Sequence, residues 1–416
     1  MNGHETSRWV LQCVVLTSLH AAGVARQLPD PQQRTETSDG RIEVSAGDMK
    51  AVPMRARVLP LVQVSIAKHD PVCFVLDTGS ATSAISSACA KLWQLPVRDA
   101  TEEVIASSGR LGVKAAAYMP QLALGDVVIK DMNALITNLP GFVSGIVGVD
   151  ILSQVAVLFD GGNGSICLLR NENLESQLEA LYPGASWSRL QLQWTAQLPI
   201  VDVAVGLEAL RLQVDTGSSS STITSATAKR LKLSVARTER VQTVGATGEL
   251  LEDLAIYKLN GLALGKWSCE LQDAPLDDPV TERLQVDGIL GFDLLGKVPC
   301  VFDAKASFLW IQDPPEAGGF RLRSSQDARA IACLRDPLPE MRKFSAISVA
   351  KTNRRRLTSV VAGLLTDPSP DVQQAAAVAI STLAGQSWPD ATRVAAALAW
   401  WEEHREDKEF QAPATE

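Results

Sequence analysis

From residue 51 to about residue 313 the apolar positions come in short runs. Val, Ile and Leu fill stretches of four to seven residues, and Gly, Asn, Asp and Pro break them. Runs of that length between turn residues predict strands joined by tight turns, hence a mainly β fold. Gly161-Gly162-Asn163-Gly164, between VLFD and SICLL, predicts a hairpin turn. As a phosphate loop it lacks both the Lys and the following helix. Two stretches break the pattern: Ser87 to Leu95 (SACAKLWQL) and Ala226 to Leu233 (ATAKRLKL) space apolar residues three or four apart and predict short helices. Beyond Trp310-Ile311, the segments Asp313-Pro314-Pro315 and Gly318-Gly319 mark a boundary, and the chain turns to Ala, Leu, Arg and Glu. There Val360, Val361, Leu364 and Leu365 share a helical face. After the turn at Asp367 to Pro370, residues Val372, Ala375, Ala376, Ala379, Ile380 and Leu383 continue the helical spacing up to Gly385.

The β region contains its own copy. Asp77-Thr78-Gly79-Ser80 recurs as Asp215-Thr216-Gly217-Ser218, each after an apolar strand. Leu124-Gly125 is answered by Leu264-Gly265, and Leu158-Phe159-Asp160 by Val301-Phe302-Asp303. The run Gly145 to Asp150 (GIVGVD) is answered by Gly288 to Asp293 (GILGFD). The order is conserved and the offset drifts only from 138 to 143 residues, so the chain carries a duplicated unit. Asp150 and Asp293, each between a Gly-containing turn and apolar residues, are expected to be helix N-caps. Ser107-Ser108-Gly109 and Ala246-Thr247-Gly248 fall at matching places as Gly-bearing hairpin tips, the position of a flap over each motif.

With 416 residues there is material for two to three domains, and 46% hydrophobic with 21% charged residues is ordinary globular usage. The expected division is 1–25 leader, 26–50 linker, 51–172 first lobe, 173–318 second lobe and 319–416 helical tail. Trp9 to Ala25 is free of charge, flanked by Arg8 and Arg26, and ends in small residues, which is the outline of a secretory signal. Export to a periplasmic or extracellular space is therefore expected, with an uncleaved leader as the anchored alternative. No other stable membrane span is expected. The net charge of -8 speaks against a nucleic-acid-binding surface, and the basic run Arg354-Arg355-Arg356 is expected to be a solvated helix face.

Histidine usage narrows the chemistry. Only His69 and His404 lie outside the N-terminal stretch, too few for a zinc cluster, and no G-x-S-x-G is present for a serine hydrolase. The seven cysteines contain no C-x-x-C and read as small buried apolar residues, with no disulfide assignable. Neither a cofactor nor a metal is expected.

The paired D-T-G-S motifs, each followed by two hydrophobic residues and a Gly (Ile146-Val147-Gly148 and Ile289-Leu290-Gly291), resemble the pepsin and retropepsin clan of aspartic peptidases over about residues 54–313. The text after each motif is more similar to the retropepsin-like branch. The resemblance implies two homologous retropepsin-like β lobes forming a bilobal acid-protease fold, with Asp77 and Asp215 as the catalytic pair. Thr78, Gly79, Ser80, Thr216, Gly217 and Ser218 would support that pair, and Thr78 and Thr216 would lock the loops across the pseudo-twofold axis. Two neighbouring carboxylates cannot both ionise, so they share a proton, and one serves as base to a water while the other serves as acid to the carbonyl oxygen. The Gly residues allow close packing, and the Ser hydroxyls are expected to donate to the outer carboxylate oxygens.

The expected function is an aspartic endopeptidase with a polypeptide substrate extended in the interlobe cleft. The alternatives are an inactive peptide-binding or scaffold protein, and a lobe that pairs with its equivalent in another chain. Segment 26–50 has four basic and five acidic residues, so no basic prosegment of a classical zymogen is indicated. The tail resembles HEAT-repeat helices and is expected either to pack on a lobe or to offer a surface to a protein partner.

Overall fold

The computed structural model describes His20–Ala21 and residues 41–44, 51–66, 69–106, 109–245, 248–273, 275, 277, 279–315 and 321–412. Of the leader only His20–Ala21 is described, as a short strand beside Val97–Ala106. The polar stretch expected to be a linker contributes a strand, Arg41–Val44, which pairs antiparallel with Val127–Thr137.

In lobe 1 the hairpin Leu61–Val64 and Val72–Leu76 leads into the first motif. Ala84–Ser86 follows, and then α1 (Ser87–Leu92), with the Ser86 side chain accepting from the Cys89 N–H at 3.1 Å. The long hairpin Val97–Ala106 and Gly109–Leu124, here flap 1, precedes Val127–Thr137 and Gly145–Val147, and α2 (Val149–Leu152) closes the unit. After α3 (Leu174–Leu181), lobe 2 repeats the plan. The hairpin Leu198–Val205 and Glu208–Asp215 enters the second motif, followed by Thr222–Ile223 and α4 (Ser225–Arg230), which is capped by Thr224. Flap 2 (Val235–Gly245 and Gly248–Leu264) and Trp267–Asp273 come next, then α5 (Pro279–Leu284), Gly288–Gly291 and α6 (Phe292–Leu295). Both expected flaps are thus hairpins at the expected places, and their tips, 107–108 and 246–247, lie outside the described residues.

Helices α1 and α4 end earlier than their apolar spacing predicts. Gln94 and Lys232 take positive φ (50° and 53°), and the chain turns back so that the N–H groups of Leu95 and Leu233 donate to Ala90 and Ala228 carbonyls at 3.1 and 3.0 Å. Leu95 and Leu233 reach the core from that turn rather than from a further helical one.

An antiparallel sheet fastens the lobes together. It runs in the order Val52–Pro53, Ser165–Leu169, Ala156–Asp160, Cys300–Asp303, Phe308–Gln312, Trp187–Thr195, so that Ala156–Asp160 of lobe 1 pairs with Cys300–Asp303 of lobe 2. The Gly161 to Gly164 segment is the expected turn, between Asp160 and Ser165. Phe159 and Phe292 meet edge to face at 6.1 Å in a core that continues through both lobes.

The tail is helical from residue 326, and it begins as part of lobe 2. Arg321–Ser325 adds a parallel strand to Trp267–Asp273. Then follow α7 (Gln326–Leu334), α8 (Pro339–Lys351), α9 (Thr358–Ala362), α10 (Pro370–Ala384) and α11 (Arg393–His404), with α10 packed on α8 and α11. The triple-arginine run is not a solvated face. Arg354 is buried beside Asp327, and Arg356 pairs with Asp327 at 2.6 Å and with Glu239 of flap 2, while Arg355 alone points outward to Glu409. The partly buried carboxylates of Asp327 and Glu239 draw two of the three side chains inward. Four of the six described cysteines are buried. No helix among the described residues is long and apolar enough to cross a membrane.

Candidate active site

Each motif Asp stands at the end of a strand that runs parallel to the later Gly-containing strand of its own lobe. Val72–Leu76 pairs with Gly145–Val147, placing Ile146 opposite Val75, and Glu208–Asp215 pairs with Gly288–Gly291. A side chain on Gly148 would meet the Ser80 carbonyl at 2.8 Å, and one on Gly291 the Ser220 carbonyl at 2.6 Å. The hydrophobic-hydrophobic-Gly motif is therefore the floor on which each D-T-G-S loop rests.

The two loops meet. A methyl group on Gly79 would lie 2.2 Å from Cγ of Asp215, and one on Gly217 would lie 2.3 Å from Cγ of Asp77. Each carboxylate thus occupies the space left by the other loop's missing side chain, and the two are hydrogen-bonded to each other within a single chain. Pairing of a lobe with another chain is not needed to bring them together.

Thr78 and Thr216 grip one another. Thr78 Oγ1 accepts from the Thr216 N–H at 3.0 Å and donates to the Val214 carbonyl at 2.9 Å. Thr216 Oγ1 accepts from the Thr78 N–H at 3.0 Å and donates to the Leu76 carbonyl at 2.7 Å. All four partners are buried, so the lock is made without competition from water.

Asp77 and Asp215 are 1% and 0% exposed. Backbone donors offset part of that cost: the Gly79 N–H donates to Asp77 Oδ1 and the Ser218 N–H to Asp215 Oδ1, both at 2.8 Å. Burial pushes Asp77 up to about 6, against the opposing pull of the Gly79 N–H, of Asp215 and of the Gly217 and Ser80 N–H groups. The Ser hydroxyls, expected at the outer carboxylate oxygens, donate to the Thr82 and Ser220 carbonyls at 2.8 and 2.9 Å and so close the loops.

A second pair recurs in both lobes beneath the motifs. Ser83 Oγ donates to Asp150 Oδ1 at 2.7 Å and accepts from the Gly148 N–H at 3.0 Å. Ser221 Oγ donates to Asp293 Oδ1 at 2.6 Å and accepts from the Gly291 N–H at 2.9 Å. The N-cap positions of α2 and α6 are Gly148 and Gly291. Asp150 and Asp293 are not the caps that the sequence led one to expect, but struts in the first turn that tie the motif loop to its Gly floor. The signal for them was present: Ser83 and Ser221 each follow their motif Asp by the same interval, and both G-x-D tripeptides recur with them. Burial pushes Asp150 up to about 6 against the Ser83 donors and the Ile151 N–H.

Sequence comparison agrees with the geometry. Residues 62–154 match the family model of the gag-polyprotein aspartyl protease, and residues 201–294 match that of an aspartyl protease family. Each match contains one D-T-G-S loop and its Gly floor. No curated protein matches the chain.

Proposed function

Residues 62–154 and 201–294 being two aspartyl protease domains in tandem, we propose that the molecule is a single-chain aspartic endopeptidase in which Asp77 and Asp215 jointly activate a water. The observation that carries this reading is the mutual fit of the two carboxylates against Gly217 and Gly79. Held in hydrogen-bond contact and shut from bulk solvent, the pair keeps one proton between them. Its charged member takes a proton from the water as the water attacks the scissile carbonyl, and its protonated member gives one to the carbonyl oxygen. The roles belong to the pair, which titrates as one unit. Thr78, Thr216, Gly79, Gly217, Ser80 and Ser218 hold it in place through the contacts described above.

The substrate of this reading is a polypeptide laid between the lobes beneath the two flaps. Export is proposed on the uncharged stretch 9–25 between Arg8 and Arg26, and the tail is read as HEAT-type hairpins on the helical spacing of residues 360–385. The test is digestion of an unbiased peptide library from pH 3 to 8 by the full chain and by Asp77→Asn and Asp215→Asn, with folding followed by circular dichroism. Cleavage by the parent chain and its loss in both folded variants is the expected result. Equal cleavage by parent and variants would refute it.

A further inference from the structure

The two sides of the cleft are not closed in the same way. Flap 1 packs through Val97–Ala106 directly on α5, the helix that precedes the Gly floor of lobe 2. The duplication makes residues 139–144, which precede the Gly floor of lobe 1, the matching support for flap 2. The helix α8 spans that gap. Its first half sends Met341 and Phe344 into an apolar cluster with Val75, Phe142, Val143 and Ile146 of lobe 1, and the rings of Phe142 and Phe344 meet edge to face at 5.6 Å. Its second half holds flap 2: Ser348 Oγ donates to Gln242 Oε1 at 2.8 Å, and Lys351 Nζ reaches both oxygens of Glu249 at 2.9 and 3.0 Å.

The surface these side chains cover lies on the two strands that lead to the first motif and its Gly floor. Val75 stands two residues before Asp77, and Ile146 is its partner on the parallel strand that ends at the Gly148 floor. Among the described residues, a cavity of about 110 Å³ lies beside α8, bounded by Ser219 and Ser220 next to the second motif, Val241 of flap 2, Arg329 of α7 and Phe344. That is less than the ~150 Å³ that accommodates one benzene.

We propose that α8 is a built-in plug: in this state Met341 and Phe344 occupy the lobe 1 arm of the substrate cleft, and the helix must swing away from flap 2 before a peptide can bind. The proposal rests on the peptidase reading, whose regulation it supplies. The hold on flap 2 is polar while the hold on lobe 1 is apolar, so cutting the clasp removes one of the helix's two attachments and leaves the contact of Met341 and Phe344 as what an entering peptide has to displace. The plug and the peptide compete for one place, and weakening the plug shifts the population toward the open form.

The experiment uses the full chain with Ser348→Ala/Lys351→Glu, which cuts the clasp on flap 2, and separately with Met341→Ala/Phe344→Ala, which shrinks the plug. Binding of a statine-containing peptide, whose hydroxyl stands in for the attacking water, is measured by calorimetry alongside hydrolysis of the peptide library. The expected result is binding at least tenfold tighter and hydrolysis at least tenfold faster in the clasp variant, with inhibition on adding a synthetic peptide of residues 339–351. A folded clasp variant that binds the statine peptide no tighter than the parent overturns the plug, even if the Met341/Phe344 variant fails to fold. Tighter binding without hydrolysis at any pH upholds the plug and overturns the peptidase reading instead.

Discussion

Gly79 and Gly217 decide how close two carboxylates can stand. Gly79→Ala would drive a methyl group into Asp215, whose Cγ lies 2.2 Å from the position it must take. The expected outcome is loss of hydrolysis together with a lower thermal midpoint, since either the loop or the carboxylate has to move. Thr216→Val removes one buried hydroxyl that both accepts from Thr78 and donates to Leu76. Leaving those partners unpaired costs about 1–3 kcal/mol each, which urea unfolding should register as about 2–6 kcal/mol in total. The raised Asp77 and Asp150 also set a slope in stability. Each binds its proton more tightly folded than unfolded, so their contribution is complete below about pH 4 and is lost as pH rises through about 6. Asp150→Asn should flatten the fall in unfolding free energy over that window by up to on the order of 3 kcal/mol. An unchanged slope would show that Asp150 is not the buried acid described here.

At the scale of elements, the tail belongs to the folded body. Its strand Arg321–Ser325 completes the lobe 2 sheet, and Arg329 of α7 reaches the carboxylates of Asp273 and Asp293. Arg329→Met would leave two buried carboxylates without their cation. The expected cost is about 3–5 kcal/mol in urea unfolding, and a change below about 1 kcal/mol would contradict the ion-pair role. The duplicated elements were legible because each recurs with its turn residues: the motif strands, the flaps and the short helices. The struts Ser83–Asp150 and Ser221–Asp293 were misread as caps because a G-x-D before apolar residues looks the same whether the Asp bonds its own helix or a serine far back in the chain. The arginine run misled for a like reason, since the acids that draw Arg354 and Arg356 inward are Asp327 and Glu239, and only the fold brings them near. The course of α8 across the cleft left no local mark at all. Met341 and Phe344 stand three residues apart on one face of α8, and the surface that face covers is set by tertiary packing.

Over the whole molecule, the duplicated lobes supply one carboxylate each, the interlobe sheet joins the lobes, the two glycines and the threonine lock set how closely the carboxylates stand, and in the plug proposed above the tail governs access. The most direct measurement is the pH dependence of peptide hydrolysis by the full chain carrying Ser348→Ala/Lys351→Glu, with and without Asp77→Asn. The expected profile falls as pH rises through about 6, where the buried pair gives up its shared proton, and Asp77→Asn lowers the rate by about 10³-fold or more with the fold intact. Hydrolysis that stays level to pH 8, or that survives Asp77→Asn undiminished, would contradict catalysis by the Asp77 and Asp215 pair.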